Sequence, residues 1–246
     1  MKIIAITQAR IGSSRLPGKV LRTINGKTLL QLHLERVAQS KLIDKIIVAT
    51  THEEGVEEIE EIAARLGHST FKGSVDDVLD RFYSAAKTEM PDYIVRVTSD
   101  CPLIDAALID EVINHCLSNK LDYCSNSLKP FYPDGMDAEI FNFASLERAW
   151  KEATSKSDRE HVTPYIWRNS SYCGGDYFYS DNISYEKDYS AWRLTVDEEA
   201  DMKVVENLVT ALGSNKPWIK YIEYLIEHTD IKNINSHIKR NEGFII

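Results

Sequence analysis

From Ile3 to Leu117 the sequence switches repeatedly between runs that suit a strand and runs with helical spacing, and this alternation constrains the fold more than any other feature. Ile3 to Thr7 is an apolar run ending in a polar loop, and Leu29 to Ala38 then places Leu29, Leu30, Leu32, Leu34 and Val37 at helical intervals. Lys45 to Thr50 is strand-like, Val56 to Leu66 sets Val56, Ile59, Ile62, Ala63 and Leu66 on one stripe, and Ser69 to Lys72 is a short strand. Val75, Val78, Leu79, Phe82, Ala85 and Ala86 mark the next helix, Tyr93 to Thr98 the next strand, and Ile109, Val112, Ile113, Cys116 and Leu117 the helix after it. Strands and helices in this order call for a three-layer α/β fold with a mostly parallel central sheet covered on both faces.

Beyond Asp122 to Ser125, which reads as another strand, the alternation falters in "SLKPFYPDGMDAEIFNF", where prolines and a glycine signal a change of topology. Asp137 to Phe141 reads as an edge or antiparallel strand, Ala144 to Ala153 as a helix, and Glu160 to Trp167 as a shorter one. The stretch Ser170 to Tyr189 reads as loops and short strands, "RLTVD" at Arg193 to Asp197 as a final strand, and Val205, Leu208, Val209 and Leu212 as the face of a closing helix. All 246 residues are expected in a single domain, with an insertion around 127–190 carrying the acceptor side and a dimerisation surface. The aromatics Phe131, Tyr132, Trp150, Trp167 and Tyr172 suit that surface and ordinary core packing equally.

No run of about 18 apolar residues could cross a membrane, and "MKIIAITQAR" reads as a first strand rather than a signal peptide. Cys101, Cys116, Cys124 and Cys173 form no CxxC pair or dense framework, which fits reduced thiols in a cytoplasm. The net charge of −9 argues against an extended nucleic-acid surface. Met1 to Arg22 runs the other way, with Lys2, Arg10, Arg15, Lys19 and Arg22 and no acid. Contact pairs outweigh screened distant charge, so a small polyanion can bind here despite the acidic whole.

That basic stretch contains "ITQARIGSSRLPGKVL", the loop after the first strand, and in a parallel sheet ligands collect beyond the carboxyl ends of the strands. Its spacing is not that of a P-loop: five residues, not four, separate Gly12 from Gly18, and Val20 follows Lys19 where Ser or Thr would hold magnesium. Gly12, Ser13 and Ser14 allow a tight path with N–H groups toward an anion, and Pro17 and Gly18 suit the centre of a type II turn that aims Lys19. Arg10 and Arg15 offer planar forks for phosphate oxygens, and Lys19 a compact charge. Asp100, just past the strand in "VRVTSDCPLID", lies beside this loop if the two strands are neighbours, a good magnesium position.

"QARIGSSRLPGKVL" resembles the signature of the cytidylyltransferases that make CMP-sugars, the group of the acylneuraminate and 3-deoxy-manno-octulosonate enzymes, and most closely the branch named for spore coat polysaccharide biosynthesis. The likeness continues in the same order through "GSVDDVLDRF", "VRVTSDCPLID", "PDGMDAEIF", "REHVTPYI" and "RLTVDEEAD". It implies a fold like that of the nucleotide-diphospho-sugar transferases, CTP as donor, Mg2+ as cofactor, a small acidic sugar or polyol-type acceptor, and a homodimer. By resemblance the nucleotide is bound by Gln8, Ala9, Arg10, Gly12, Ser13, Ser14, Arg15 and Lys19, with Lys72, Gly73 and Ser74 beside the base. Lys19, Arg10 and Asp100 would carry catalysis, Asp100 and Asp197 the metal, and Asp134, Asp137, Arg159, Glu160 and His161 the acceptor.

Plainer roles stand beside these. Asp197 precedes a helix and serves equally as its N-cap, Asp201 reads as an exposed acid of the first turn or a water-mediated metal contact, and Ser74 with Asp77 has capping-box spacing. His161 beside an apolar helix suits a core residue as well as a base, and Asp137 is the weaker candidate base if one is needed. The expected reaction is transfer of CMP from CTP with release of pyrophosphate, for surface polysaccharide or glycoconjugate synthesis. A glycosyltransferase consuming a nucleotide-sugar, which would not need three clustered cations, and a noncatalytic nucleotide sensor are the competing readings.

Overall fold

The computed structural model describes residues 1–13 and 15–240. Chain order is β1 (Ile3–Gln8), a hairpin of β2 (Thr23–Ile24) and β3 (Lys27–Thr28), α1 (Leu29–Val37), β4 (Lys45–Thr50), α2 (Val56–Arg65), β5 (Ser69–Lys72), α3 (Val78–Glu89), β6 (Tyr93–Thr98), α4 (Ala106–Ser118) and β7 (Tyr123–Ser125). There follow β8 (Glu139–Asn142), α5 (Phe143–Glu152), α6 (Lys156–His161), α7 (Pro164–Arg168), β9 (Ser180–Asn182), α8 (Glu199–Leu212), α9 (Trp218–Glu227) and α10 (Thr229–Lys232). Seven strands form the central sheet in the order β5-β4-β1-β6-β8-β7-β9. Of its pairings, those of β8 with β6 and β7 are antiparallel and the rest are parallel.

Alternation along buried strands divides the core between two faces. Ile3 and Ala5 of β1, Val48 of β4 and Val95 and Val97 of β6 pack with α1, α2, α4, α8 and α9. Ile4 and Ile6, Ile47 and Ala49, and Ile94 pack with α3 and α5 on the other side. The expected three-layer fold is the observed one.

Several local expectations are corrected. The strand expected at Asp137 to Phe141 is antiparallel, as β8, but lies inside the sheet between β6 and β7. The helix expected over Glu160 to Trp167 is broken into α6 and α7 at Val162, a buried β-branched residue at φ 73. Arg193 to Asp197 forms no strand: its N–H groups reach loop carbonyls, Leu194 and Thr195 to Asp134 and Val196 to Asp100. Ser74 caps a turn, taking the Asp77 N–H at 3.0 Å, while Asp77 caps α3 itself by accepting from Asp80 N. Glu198 rather than Asp197 is the N-cap of α8, in a capping box with Asp201, and Asp201 is buried, not exposed. Among the aromatics, Tyr132 is core, Trp150 stacks on Tyr83 at 4.2 Å, and Tyr172 is exposed.

Candidate active site

The first loop is built from its anchors outward. Ala9, Leu16 and Val20 sink into the core, so the polar residues between them have to arch over the ends of β1 and β4. Inside the arch the Ile11 carbonyl accepts from Ser13 N at 2.9 Å and from Gly18 N at 3.0 Å. The expected turn is present: Lys19 N donates to Leu16 O at 3.2 Å across Pro17 and Gly18, and Gly18 takes φ 64, which a side chain would resist. Ser14 lies outside the described residues.

The neighbouring strand carries the second part of the site. β6 runs parallel to β1 with Gln8 opposite Thr98, so Asp100 emerges beside the loop. Lys19 Nζ, aimed by the turn, donates to Asp100 Oδ2 at 2.9 Å and to Asp197 Oδ1 at 2.7 Å. Asp197 arrives from the far end of the chain because Val196 N donates to Asp100 O at 2.8 Å and Thr195 Oγ1 to the same carbonyl at 3.2 Å. Arg15 Nη2 approaches Asp197 Oδ2 at 3.1 Å, and Arg22 forks onto Glu199. Arg10 is exposed, and no ion pair holds it among the described residues.

Electrostatics follow from this geometry. Burial alone would raise the Asp100 carboxyl, but the Lys19 ammonium, with Thr98 and Cys101, holds it well below the usual carboxylate range. Burial opposes the charge on Lys19, and the two aspartates together overcome that and raise its pKa. Two carboxylate oxygens thus converge on one positive charge in a largely buried setting. Hard anionic oxygens meeting at a cation form the donor set a magnesium ion takes, with water and phosphate oxygens completing its shell, so the residues fit that ion.

Not every expected residue stands free for substrate. Lys72 pairs with Glu60 at 2.7 Å, and Gly73 packs so tightly that an added Cβ would lie 3.0 Å from Arg81 Cγ. Gly12 lies against the Glu53 side chain. Asp134 Oδ2 is buried against Arg193 Nη1 at 2.6 Å, and Asp137 Oδ1 is bound by Arg240 Nη2. Burial pushes the Asp137 carboxyl up to about 6, against the pull of Arg240 and with the neighbouring Asp134 and Glu139 adding to the rise. All three Arg159 nitrogens are engaged, Nε and Nη2 with Asp77 and Nη1 with the Trp150 carbonyl, so its guanidinium has a structural task and is not free for an acceptor anion. Glu160 is exposed, and burial pushes the half-buried His161 down from the ordinary histidine value.

Sequence reasoning missed a second layer. Arg193 binds Asp134, Asp197 and Asp201, and Arg81 is a buried arginine pushed down to about 10, first by desolvation and then by nearby Arg10. Arg81 shows as a charged residue on the helical face of Val78, Phe82 and Ala85, a visible signal; Arg193 carries no periodic signal. The buried Gln8 Oε1 and Thr50 Oγ1, at the carboxyl ends of the adjacent β1 and β4, have no hydrogen-bond partner among the described residues. Unpaired polar groups of this kind mark the ligand side of a sheet.

A mostly parallel sheet with a cationic loop after its first strand and paired carboxylates at the neighbouring strand end defines a nucleotide-binding α/β protein suited to phosphoryl chemistry. Residues 4–231 match the cytidylyltransferase family. An uncharacterized protein of Methanocaldococcus jannaschii is 42% identical over 241 residues, covering 98% of this chain and 97% of that one. A spore coat polysaccharide biosynthesis protein of Bacillus subtilis is 31% identical over 216 residues, 86% of this chain and 88% of its own length. The structure of a cytidylyltransferase from Leptospira borgpetersenii superposes with a TM-score of 0.88 at 34% identity, covering 94% of this chain and 97% of that one. The chain belongs to the cytidylyltransferase family and is a CTP-dependent nucleotidyltransferase.

Proposed function

We propose that the protein transfers CMP from CTP to a small sugar acid or related polyol-type acceptor, with release of pyrophosphate, as a step in surface polysaccharide or glycoconjugate synthesis. The observation that carries this reading is the meeting of Lys19 with Asp100 and Asp197 at 2.9 and 2.7 Å beneath the first loop. An acceptor oxygen attacks the α-phosphorus, the bond to the β-phosphate oxygen breaks, and pyrophosphate departs with that oxygen's electron pair. Such a reaction needs placement and charge compensation rather than a covalent enzyme intermediate.

Lys19 moves from the two aspartates to the triphosphate, where Arg10 and Arg15 add planar donors to the leaving pyrophosphate. Asp100 and Asp197 would hold magnesium, which supplies positive charge and Lewis acidity at phosphate oxygens when bound. The backbone of Lys72, Gly73 and Ser74 faces the base in this reading. Asp134 and Asp137 order the acceptor loop through their arginine partners, with Glu160 and His161 at its rim, and the active form is a homodimer.

A matrix of four nucleoside triphosphates against sugar acids, neutral sugars and polyol phosphates with Mg2+, read by pyrophosphate release and product mass, tests donor and acceptor together. Turnover with CTP and an acidic or polyol acceptor is expected. Preference for another nucleotide, or CTP binding with no pyrophosphate release across the panel, would overturn the reading.

A further inference from the structure

Asp197 turns Oδ1 toward the Lys19 ammonium, at 2.7 Å, while its other oxygen, Oδ2, is held elsewhere. Arg193 Nη2 donates to that Oδ2 at 2.9 Å, and its remaining donors go to Asp134 (Nη1, 2.6 Å) and Asp201 (Nε, 2.8 Å, with Nη2 at 3.0 Å from the second oxygen). The side chains of Arg193 and Asp201 are 6% and 0% exposed, so solvent does not compete for these bonds. Asp201 is itself fixed by the N–H groups of Asp197 and Glu198, each at 3.0 Å, and by Asn235 Nδ2 at 2.9 Å. A planar guanidinium with all three nitrogens engaged has no second orientation to adopt. Arg15 reaches the same Asp197 oxygen, but from a side chain 40% exposed.

We propose that Arg193 is the positioning residue of the site: clamped by Asp134 and Asp201, it fixes Asp197 Oδ2 so that Oδ1 meets Asp100 Oδ2 at a single cation. The assignment rests on the reading of Asp100 and Asp197 as the metal pair. It also joins the acceptor loop, through Asp134, to the metal side, through Asp197. Partners of this kind, one step behind a ligand, typically govern metal affinity by about 10- to 100-fold.

The test measures Mn2+ binding to the full chain by the loss of the free-ion paramagnetic resonance signal, with and without CTP. Arg193→Lys keeps the charge and loses the fork, so it separates orientation from electrostatic attraction. Affinity for Mn2+ should fall about tenfold, with CTP affinity measured without metal within about twofold of wild type. Arg193→Gln combined with Asp201→Asn removes one cation and one anion together and should give the same loss. A folded variant of either kind with wild-type Mn2+ affinity overturns the assignment, and so does failure of both to fold, which would leave Arg193 a residue of the fold alone. Wild-type protein that binds no Mn2+ even with CTP would instead overturn the metal-pair reading beneath it.

Discussion

Lys19 holds apart two carboxylates that would otherwise face each other in a largely buried site. Lys19→Met should therefore do two separable things. Turnover should fall by about two orders of magnitude or more, as for other charge-compensating donors at a reacting centre. The fold should lose roughly 1–3 kcal/mol, because Asp100 is left without its cation while Asp197 keeps Arg193 and Arg15, and Mg2+ alone should recover part of that in a thermal melt by binding where the ammonium was. A melt that Mg2+ does not move, with turnover intact, would remove Lys19 from the mechanism. His33 gives the second prediction at this scale. It is fully buried, and in the neutral tautomer that satisfies both ring nitrogens Nδ1–H donates to Cys101 O and Nε2 accepts from Thr7 Oγ1, each at 3.0 Å. Desolvation pushes its pKa down to about 4, so the unfolded chain binds the proton first as pH falls. Stability contributed above pH ~6.5 is then lost progressively down to pH ~4, about 3 kcal/mol from this residue, and saturates below. Urea titrations of wild type and His33→Gln should differ in slope with pH across that window; parallel curves would contradict it.

At the scale of elements, the loops that bring the site together are more constrained than the strands beneath them. Gly135 sits at φ +101 where an added Cβ would lie 2.5 Å from Thr195 N and 2.7 Å from Leu194 C, so the loop between Asp134 and Asp137 is pressed onto the segment that delivers Asp197. Gly135→Ala should cost more than about 2 kcal/mol and reduce activity even in the folded fraction, because both backbones must shift. Gly18→Ala meets nothing within 4 Å at φ +64 and should cost only about 1 kcal/mol by chemical denaturation. Equal costs at the two positions would show that backbone conformation alone, without the close approach at Gly135, sets the penalty. The same contrast explains what could be read from sequence. β1, β4 and β6 were legible because strands inside the sheet are short, largely apolar runs between turn signals. Arg193 to Asp197 has the same apolar pattern, with Leu194 and Val196 fully buried, yet its backbone bonds go to loops, a choice made by tertiary contacts that no periodicity encodes. The start of α3 was misplaced because Ser74 and Asp77 both offer capping oxygens, and only the turn between them decides which one opens the helix.

Over the whole molecule, the site joins residues about eighty and one hundred and eighty positions apart, as the Lys19 pairs with Asp100 and Asp197 show. Half of that meeting was legible: a parallel sheet places Asp100 beside the first loop once β1 and β6 are neighbours. Asp197 was named through family resemblance, since nothing in its local sequence points across the fold. The joining of Asp134, Asp197 and Asp201 through Arg193 was invisible because a buried ion network depends on separate segments packing together, around Asp134, Asp201 and Asn235. Arg159 shows the complementary limit: an arginine looks unpartnered in sequence until its partners, here Asp77 and the Trp150 carbonyl, are known. The most direct test of the central claim is a crystal structure of the protein with CTP and Mg2+. The metal is expected on Asp100 and Asp197, with Lys19 drawn away from both onto the triphosphate. Nucleotide bound elsewhere, with Lys19 still bridging the two aspartates, would contradict it.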